Sequence, residues 1–189
     1  MLKLILIRHG QTAWNAEHKV MNRLDIPLNN NGQRQVQEAT QGLAEYGIDR
    51  LMSSPQLRAL ETLQPLSSLK HLPIEIDTRL SEIRLDRWEG KVFDEIKDDP
   101  VYIERRANVL MEPHKEVETI QELMLRMKGF LGDLSKMKGT VICASHMDPL
   151  RALHVLIMDW SVETFFQFQI DNAVPSFFEY SDDGWRKVD

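Results

Sequence analysis

The stretch LILIRHGQTAWN, residues 4–15, decides how the rest of the chain is read. Four apolar residues run without a break into Arg8, His9 and Gly10. With Leu2, and with Lys3 as the only interruption, residues 2–7 form the near-continuous apolar run of a strand covered on both faces. Such a strand belongs in a core, yet it ends on two basic side chains and a glycine. Arg8 and His9 are adjacent, so on an extended chain they point to opposite faces. Both can serve one site only if the chain turns there. Gly10 permits that turn and lets the backbone come close to an anion. Taken alone, the triplet is also compatible with a solvated strand end.

The remaining segments alternate in type. Residues 29–47, rich in Asn and Gln, have helical character with Asn caps ahead and Gly47 as a stop. DRLMSS (49–54) is a short strand. Ser54 and Pro55 fit the N-cap and first position of a helix carrying Leu57, Leu60 and Leu63, with Pro65 set to kink or end it. IEI (74–76) is another short strand, and residues 81–118 are charged and irregular. A helix is expected from Thr119 to Met137, a buried strand at TVICA (140–144), and a helix capped by Asp148 and opened by Pro149. AVPSFFEYS and WRKVD read as a terminal hairpin. The pattern predicts an α/β fold, a three-layer αβα sandwich around a mostly parallel central sheet. In such sheets ligands bind beyond the carboxyl ends of the strands, where both Arg8-His9 and Ser145-His146 fall.

At 189 residues the chain is expected to form one domain, with 91–118 as a small lid segment. Its 29 acidic against 23 basic residues give a net charge of −6, which argues against a nucleic-acid or membrane-surface binder. A small anion in a local basic pocket remains compatible with that balance. The single cysteine, Cys143, excludes an internal disulfide framework and suits a reducing, cytoplasmic setting. The first apolar run is too short for a signal peptide and is followed at once by charge. Nothing approaches membrane-spanning length.

A phosphate monoester would explain the basic strand end. Its dianion needs several fixed donors, for which Arg has the best geometry. Neutral imidazole is a competent nucleophile near neutral pH. RHGQTAWN (8–15), DIPLNNNGQRQ (25–35), SSPQLRALET (53–62), LSEIRLDRWEG (80–90) and ASHMDPLRAL (144–153) together extend the argument. In content and order these five segments resemble the signatures of the histidine phosphatase superfamily, which includes the cofactor-dependent phosphoglycerate mutases. They span about four-fifths of the chain, and five matches in order are far more specific than any single one.

The resemblance implies a two-step reaction on a small phosphate ester, with His9 as nucleophile and a phosphohistidine intermediate. It implies that Arg8, Arg58 and His146 hold the phosphoryl oxygens and that Glu82 is the general acid. Gln11, Thr12 and Asn15 match positions that line the pocket or its entrance. Arg23 and Met147 are grouped with them as substrate-binding, and Met21, Leu24, Arg84 and the lid are further candidates to shape the pocket. No metal and no cofactor is expected, since neither H-x-H-x-D nor HExxH spacing occurs. A homodimer is an assembly the resemblance allows.

Two departures stand out. Where the family has Ser-His-Gly, this chain has Ser145-His146-Met147, followed by Asp148. A carboxylate there would repel phosphate unless it is turned away as a helix cap, which is the expectation. Asp86 replaces a glycine usual four residues after the acid. A cysteine-phosphatase reading fails because Pro149, not Arg, stands six residues past Cys143. His18, His71, His114 and His154 match nothing, and Trp14 and Trp88 read as packing residues. Mutases of the family follow the acid with Arg-His-Tyr-Gly; here Ile83-Arg84-Leu85-Asp86 follows, which favours hydrolysis. Arg105-Arg106 could hold a substrate carboxylate, so the mutase alternative stays open, as does a non-catalytic binding module on the same fold.

Overall fold

The computed structural model describes residues 1–188. In chain order the elements are β1 (Leu2–Arg8), α1 (Ala13–Ala16), α2 (Asn30–Gly42), β2 (Arg50–Ser53), α3 (Leu57–Lys70), β3 (Ile74–Ile76), α4 (Phe93–Ile96), α5 (Pro100–Ala107), α6 (Ile120–Leu134), β4 (Gly139–Ser145), α7 (Met147–Ile157), β5 (Pro175–Ser181) and β6 (Gly184–Val188). The six strands lie in the order β3-β2-β4-β1-β5-β6. β1, β2, β3 and β4 pair in parallel, and the terminal hairpin adds β5 and β6 antiparallel at one edge. This is the expected α/β sheet. Among the described residues, no helix is long and apolar enough to cross a membrane.

The alternation of β1 explains the layering. Leu2, Leu4 and Leu6 face a cluster with α6 and α7, built on Ile120, Leu123, Met127, Phe130 and Leu153. Ile5 and Ile7 face the opposite cluster with α2 and α3, built on Val36, Leu43, Leu63 and Leu66. All five of these β1 side chains are buried. A run covered on both faces is what a central strand requires.

Several helix boundaries differ from the sequence expectation. α2 starts where expected, with Asn29 Oδ1 accepting from Gly32 N–H. It ends at Gly42 rather than Gly47, because Lys70 Nζ donates to the carbonyls of Ala44 and Tyr46 and holds the chain in a turn. α3 begins at Leu57 with Gln56 as N-cap, two residues later than Ser54-Pro55 implied, because Ser54 is engaged in the site described below. It runs through Pro65 to Lys70, with Leu63 and Leu66 buried on either side of the proline. α7 begins at Met147 with His146 as N-cap. Asp148 therefore does not cap it. Pro149 sits in the first turn, where a missing N–H leaves no intrahelical bond unmade.

Gly10 also works differently from the expectation. Its φ is not in the left-handed region. Its backbone lies against α2, so that a Cβ on Gly10 would stand 2.8 Å from Gly32 O, and a Cβ on Gly32 would stand 2.1 Å from Gln11 O. The two glycines let the segment after β1 dock on the first turn of α2. Gly32→Ala is expected to cost about 3 kcal/mol through backbone overlap. Gly129→Ala in α6, where a Cβ meets nothing within 4 Å, is expected to be neutral or to stabilise by up to about 1 kcal/mol. Urea denaturation midpoints of the two variants check the contrast.

Candidate active site

The site forms at the carboxyl ends of β1 and β4. These strands pair in parallel with Arg8 opposite Ser145, and His9 N–H continues the ladder to Ser145 O at 3.0 Å. That register places His9 beside His146, with ring centroids 5.2 Å apart. Both rings are fully buried.

His9 is fixed from several directions. Its Nδ1 lies 2.8 Å from Gly10 O. A carbonyl only accepts, so Nδ1 carries the proton and Nε2 presents a lone pair. Nε2 is buried and has no partner among the described residues. Asn172 Nδ2 donates to His9 O at 2.7 Å, and Gly10 N–H donates to Thr62 Oγ1 at 3.0 Å. Burial, then the positive charges of Arg58 and Arg8, hold the imidazole well below its ordinary pKa, so it is neutral.

Arg8 donates from Nη1 to Ile170 O at 2.8 Å, and its buried Nε has no partner among the described residues. Arg58 is fully buried and donates to Leu24 O, Asn22 O and His146 Nδ1, at 2.7, 2.9 and 3.1 Å. Burial lowers its pKa to about 10, which leaves it charged at neutral pH. The donors of these two arginines bond to carbonyls and a ring nitrogen rather than to carboxylates. Their charge is therefore free to meet an anion.

His146 differs from the expectation. With Nδ1 accepting from Arg58, Nε2 carries the proton and donates to Ser54 Oγ at 2.7 Å. Both ring nitrogens are thus engaged by the protein. Ser54 passes its own proton to Gln56 Oε1, which also accepts from Glu82 N–H at 3.3 Å. A chain of hydrogen bonds therefore links His146 to the main chain at Glu82.

Among the described residues, the Glu82 carboxyl accepts from Ile83 N–H alone, at 2.9 Å. Burial, and secondly the charge of Asp148, push its pKa up to about 7. Its segment is strapped down. Arg23 Nε donates to Glu82 O at 3.0 Å, and Arg23 Nη2 pairs with Glu118 at 3.1 Å. Glu118 also accepts from Arg84 N–H and Arg126, and Arg126 donates to Ser81 O. Asn22, at positive φ, donates from its side-chain amide to Asp86 and Glu89 while its main-chain carbonyl accepts from Arg58.

The structure thus brings Arg8, His9, Arg58, Glu82 and His146 together. It uses other expected residues locally. Thr12 and Asn15 form the capping box of α1, and Gln11 Oε1 accepts from Asn29 and Asn31. Met147 packs against the core of the α6/α7 face. Cys143 is buried and its thiol is pushed up by desolvation, which suits a packing role. Asp148 does not cap α7 as expected but pairs with Arg105 and Arg151. The residues missed from sequence are Asn22, Ser54, Gln56, Thr62, Glu118, Arg126 and Asn172. Ser54, Gln56 and Thr62 fall inside a recognised segment, which was the one signal available.

The family profile of the histidine phosphatase superfamily (branch 1) matches residues 4–189. The chain is 31% identical over 179 residues to phosphoserine phosphatase 1 of Hydrogenobacter thermophilus, covering 92% of this chain and 84% of the relative. It is 27% identical over 191 residues to the uncharacterized phosphatase PhoE of Bacillus subtilis, covering 100% and 94%. A mutant phosphoserine phosphatase from Entamoeba histolytica, solved in complex with phosphoserine, superposes with a TM-score of 0.90 at 27% identity, covering 100% of this chain and 96% of that one. This chain belongs to the histidine phosphatase superfamily, branch 1.

The folded chain holds a proton on Glu82 that the unfolded chain releases. As pH rises from about 4.5 to about 7 that difference weighs increasingly against folding, and above 7 it is felt in full. Glu82→Gln, a neutral near-isostere of the acid form, is expected to raise the denaturation midpoint at pH 8 and to leave it nearly unchanged at pH 4. Parallel denaturant titrations of the two proteins at both pH values measure the effect.

Proposed function

We propose that this chain is a phosphomonoester hydrolase that works through a phosphohistidine on His9, with a small phosphorylated metabolite as substrate. The observation that carries this reading is the buried Nε2 of a neutral His9, unpartnered among the described residues, beside two arginines that form no ion pair with a carboxylate among those residues. Two guanidinium charges match one phosphoryl dianion.

In the first step the Nε2 lone pair attacks phosphorus and the ester P–O bond breaks. Glu82, protonated because it is buried, gives its proton to the leaving oxygen. Arg8 and Arg58 stabilise the charge that builds on the phosphoryl oxygens. In the second step the Glu82 carboxylate takes a proton from water, the resulting hydroxide bonds to phosphorus, and the P–N bond breaks. Phosphate and alcohol are released, and His9 and Glu82 return to their starting forms. His146 acts by fixing the Arg58 guanidinium and, through Ser54 and Gln56, the position of Glu82. Similarity to proteins named phosphatases supports hydrolysis. So does Arg105: a mutase reading needs it for a substrate carboxylate, but it is paired with Asp148.

Reaction with a ³²P-labelled ester, quenched in alkali, is expected to leave base-stable, acid-labile label on His9. His9→Ala should abolish both label and turnover, and label on Cys143 or Ser145 would remove this reading. Glu82→Gln is expected to slow phosphorylation by an alkyl phosphate about a hundredfold or more. A nitrophenyl phosphate, whose leaving group is already a stable anion, should lose far less. Equal losses in the phosphorylation step would exclude Glu82 as the acid.

A further inference from the structure

Three residues in the loop between α1 and α2, Asn22, Arg23 and Leu24, touch both halves of the site. On one side, Arg58 donates from Nη2 to the main-chain carbonyl of Asn22 at 2.9 Å and from Nη1 to that of Leu24 at 2.7 Å. On the other, two side chains of the loop reach the segment that carries Glu82. Arg23 Nε donates to Glu82 O at 3.0 Å. Asn22 Oδ1 accepts from Leu85 N–H at 2.9 Å, and its Nδ2 donates to Asp86 Oδ1 and Glu89 Oε2 at 2.9 and 2.8 Å. The carboxylates require the NH₂ of this amide and the N–H requires its oxygen, so its orientation is fixed. Asn22 is buried and sits at φ 49°, a conformation that glycine adopts as readily. The turn asks nothing of the side chain, yet the side chain makes three bonds to Leu85, Asp86 and Glu89.

The Glu82 end of this bridge is fixed at both main-chain polar groups. Its carbonyl accepts from Arg23, and its N–H donates to Gln56 Oε1 at 3.3 Å. Arg23 is itself held: Nη2 pairs with Glu118 Oε2 at 3.1 Å, and the same oxygen accepts from Arg84 N–H at 3.0 Å. Arg126 joins Glu118 to Ser81 O, to which it donates at 2.9 Å. Ser81 and Arg84, on either side of Glu82, are thus tied to the carboxylate that holds Arg23. The Glu82 carboxyl has a single donor among the described residues, its neighbour Ile83 N–H. Its place is therefore set through its main chain. A displacement of about 1 Å in a reacting group can cost a hundredfold in rate.

We propose that Asn22 and Arg23 are positioning residues for the hydrolysis described above. The 22–24 loop binds Arg58 through main-chain carbonyls and the Glu82 segment through side chains. It thereby sets the separation between the phosphoryl group that Arg58 holds and the acid that protonates the leaving oxygen. Arg23 acts on the acid rather than on the substrate, which differs from the role expected from the sequence. This role rests on the phosphatase reading, and it concerns where the acid stands.

Asn22→Gly keeps the positive φ and the carbonyl that Arg58 uses but removes the bonds to Leu85, Asp86 and Glu89. Arg23→Met keeps an apolar stem but removes the donor to Glu82 O. Each is made in the natural chain and in Glu82→Gln. Single-turnover formation of phosphohistidine is measured with glycerol 3-phosphate and with 4-nitrophenyl phosphate, beside the inhibition constant of inorganic phosphate. In the natural chain each substitution is expected to slow phosphorylation by glycerol 3-phosphate about tenfold or more, and by nitrophenyl phosphate about twofold or less. In Glu82→Gln it is expected to add less than about twofold with glycerol 3-phosphate, since the proton to be positioned is already gone. Inhibition by phosphate should be unchanged, because Arg58 keeps its carbonyl anchors. Equal losses with the two esters, a loss undiminished in Glu82→Gln, or weakened phosphate inhibition would overturn the proposal. So would a raised half-saturating ester concentration with an unchanged maximal rate, which would make Arg23 a substrate contact. Should Asn22→Gly fail to fold, Arg23→Met decides alone by the same criteria. Absence of phosphohistidine in the natural chain with both esters would remove the phosphatase reading and this role with it. Its presence there, with no difference between the esters in the variants, would remove this role alone.

Discussion

The parallel ladder between β1 and β4 is the constraint on which the site depends. Arg8 pairs with Ser145, and His9 N–H extends the ladder to Ser145 O. A slip of one residue would exchange the faces of every β1 side chain. Leu4 and Leu6 would then leave the α6/α7 cluster for the α2/α3 side, and His9 would lose its place beside His146. The apolar alternation of β1 between two different cores is therefore what registers two histidines 137 positions apart in the chain (9 and 146). Core packing and site geometry are one condition here.

The arginines around the site fall into two groups. Arg23, Arg126, Arg105 and Arg151 are paired with Glu118 or Asp148, and they hold main-chain segments or helices in place. Arg8 and Arg58 are anchored by carbonyl oxygens and a ring nitrogen. Carbonyl anchors orient a guanidinium without cancelling its charge, so an otherwise acidic protein keeps a local positive field at the strand ends. The same field and the same burial hold His9 and His146 neutral, which leaves a lone pair on the His9 Nε2. Glu82 responds to burial in the opposite sense and retains its proton. A neutral imidazole and a protonated carboxyl thus coexist near neutral pH because desolvation favours the uncharged form of each.

The hydrogen-bond chain from His146 through Ser54 and Gln56 to Glu82 N–H gives the two sides of the site a common support. It explains why Ser54 does not cap α3. The hydroxyl is engaged by the imidazole, the helix begins later at Leu57, and Gln56 is left at the N-cap with its amide directed into the site. A local preference has yielded to a buried polar network, as expected where an unmade bond would be costly.

The sequence by itself determined the strand-helix alternation, the two-faced central strand and the five residues Arg8, His9, Arg58, Glu82 and His146 that the fold brings together. These are recorded locally, in apolar period and in short segments whose order along the chain is itself specific. The tertiary structure alone decided how those residues are held. Asn22, Glu118 and Arg126 carry no local signal, because their partners lie between 8 and 95 residues away. Asp148 shows the physical reason most directly. Next to Pro149 it has the local form of a helix cap, and a cap needs only the neighbouring N–H groups. Its carboxylate instead meets Arg151, 3 residues on, and Arg105, 43 residues away, and a buried charge goes to the partners that best neutralise it. The distant partner depends on how α5 and α7 pack, and no stretch of sequence around residue 148 records it.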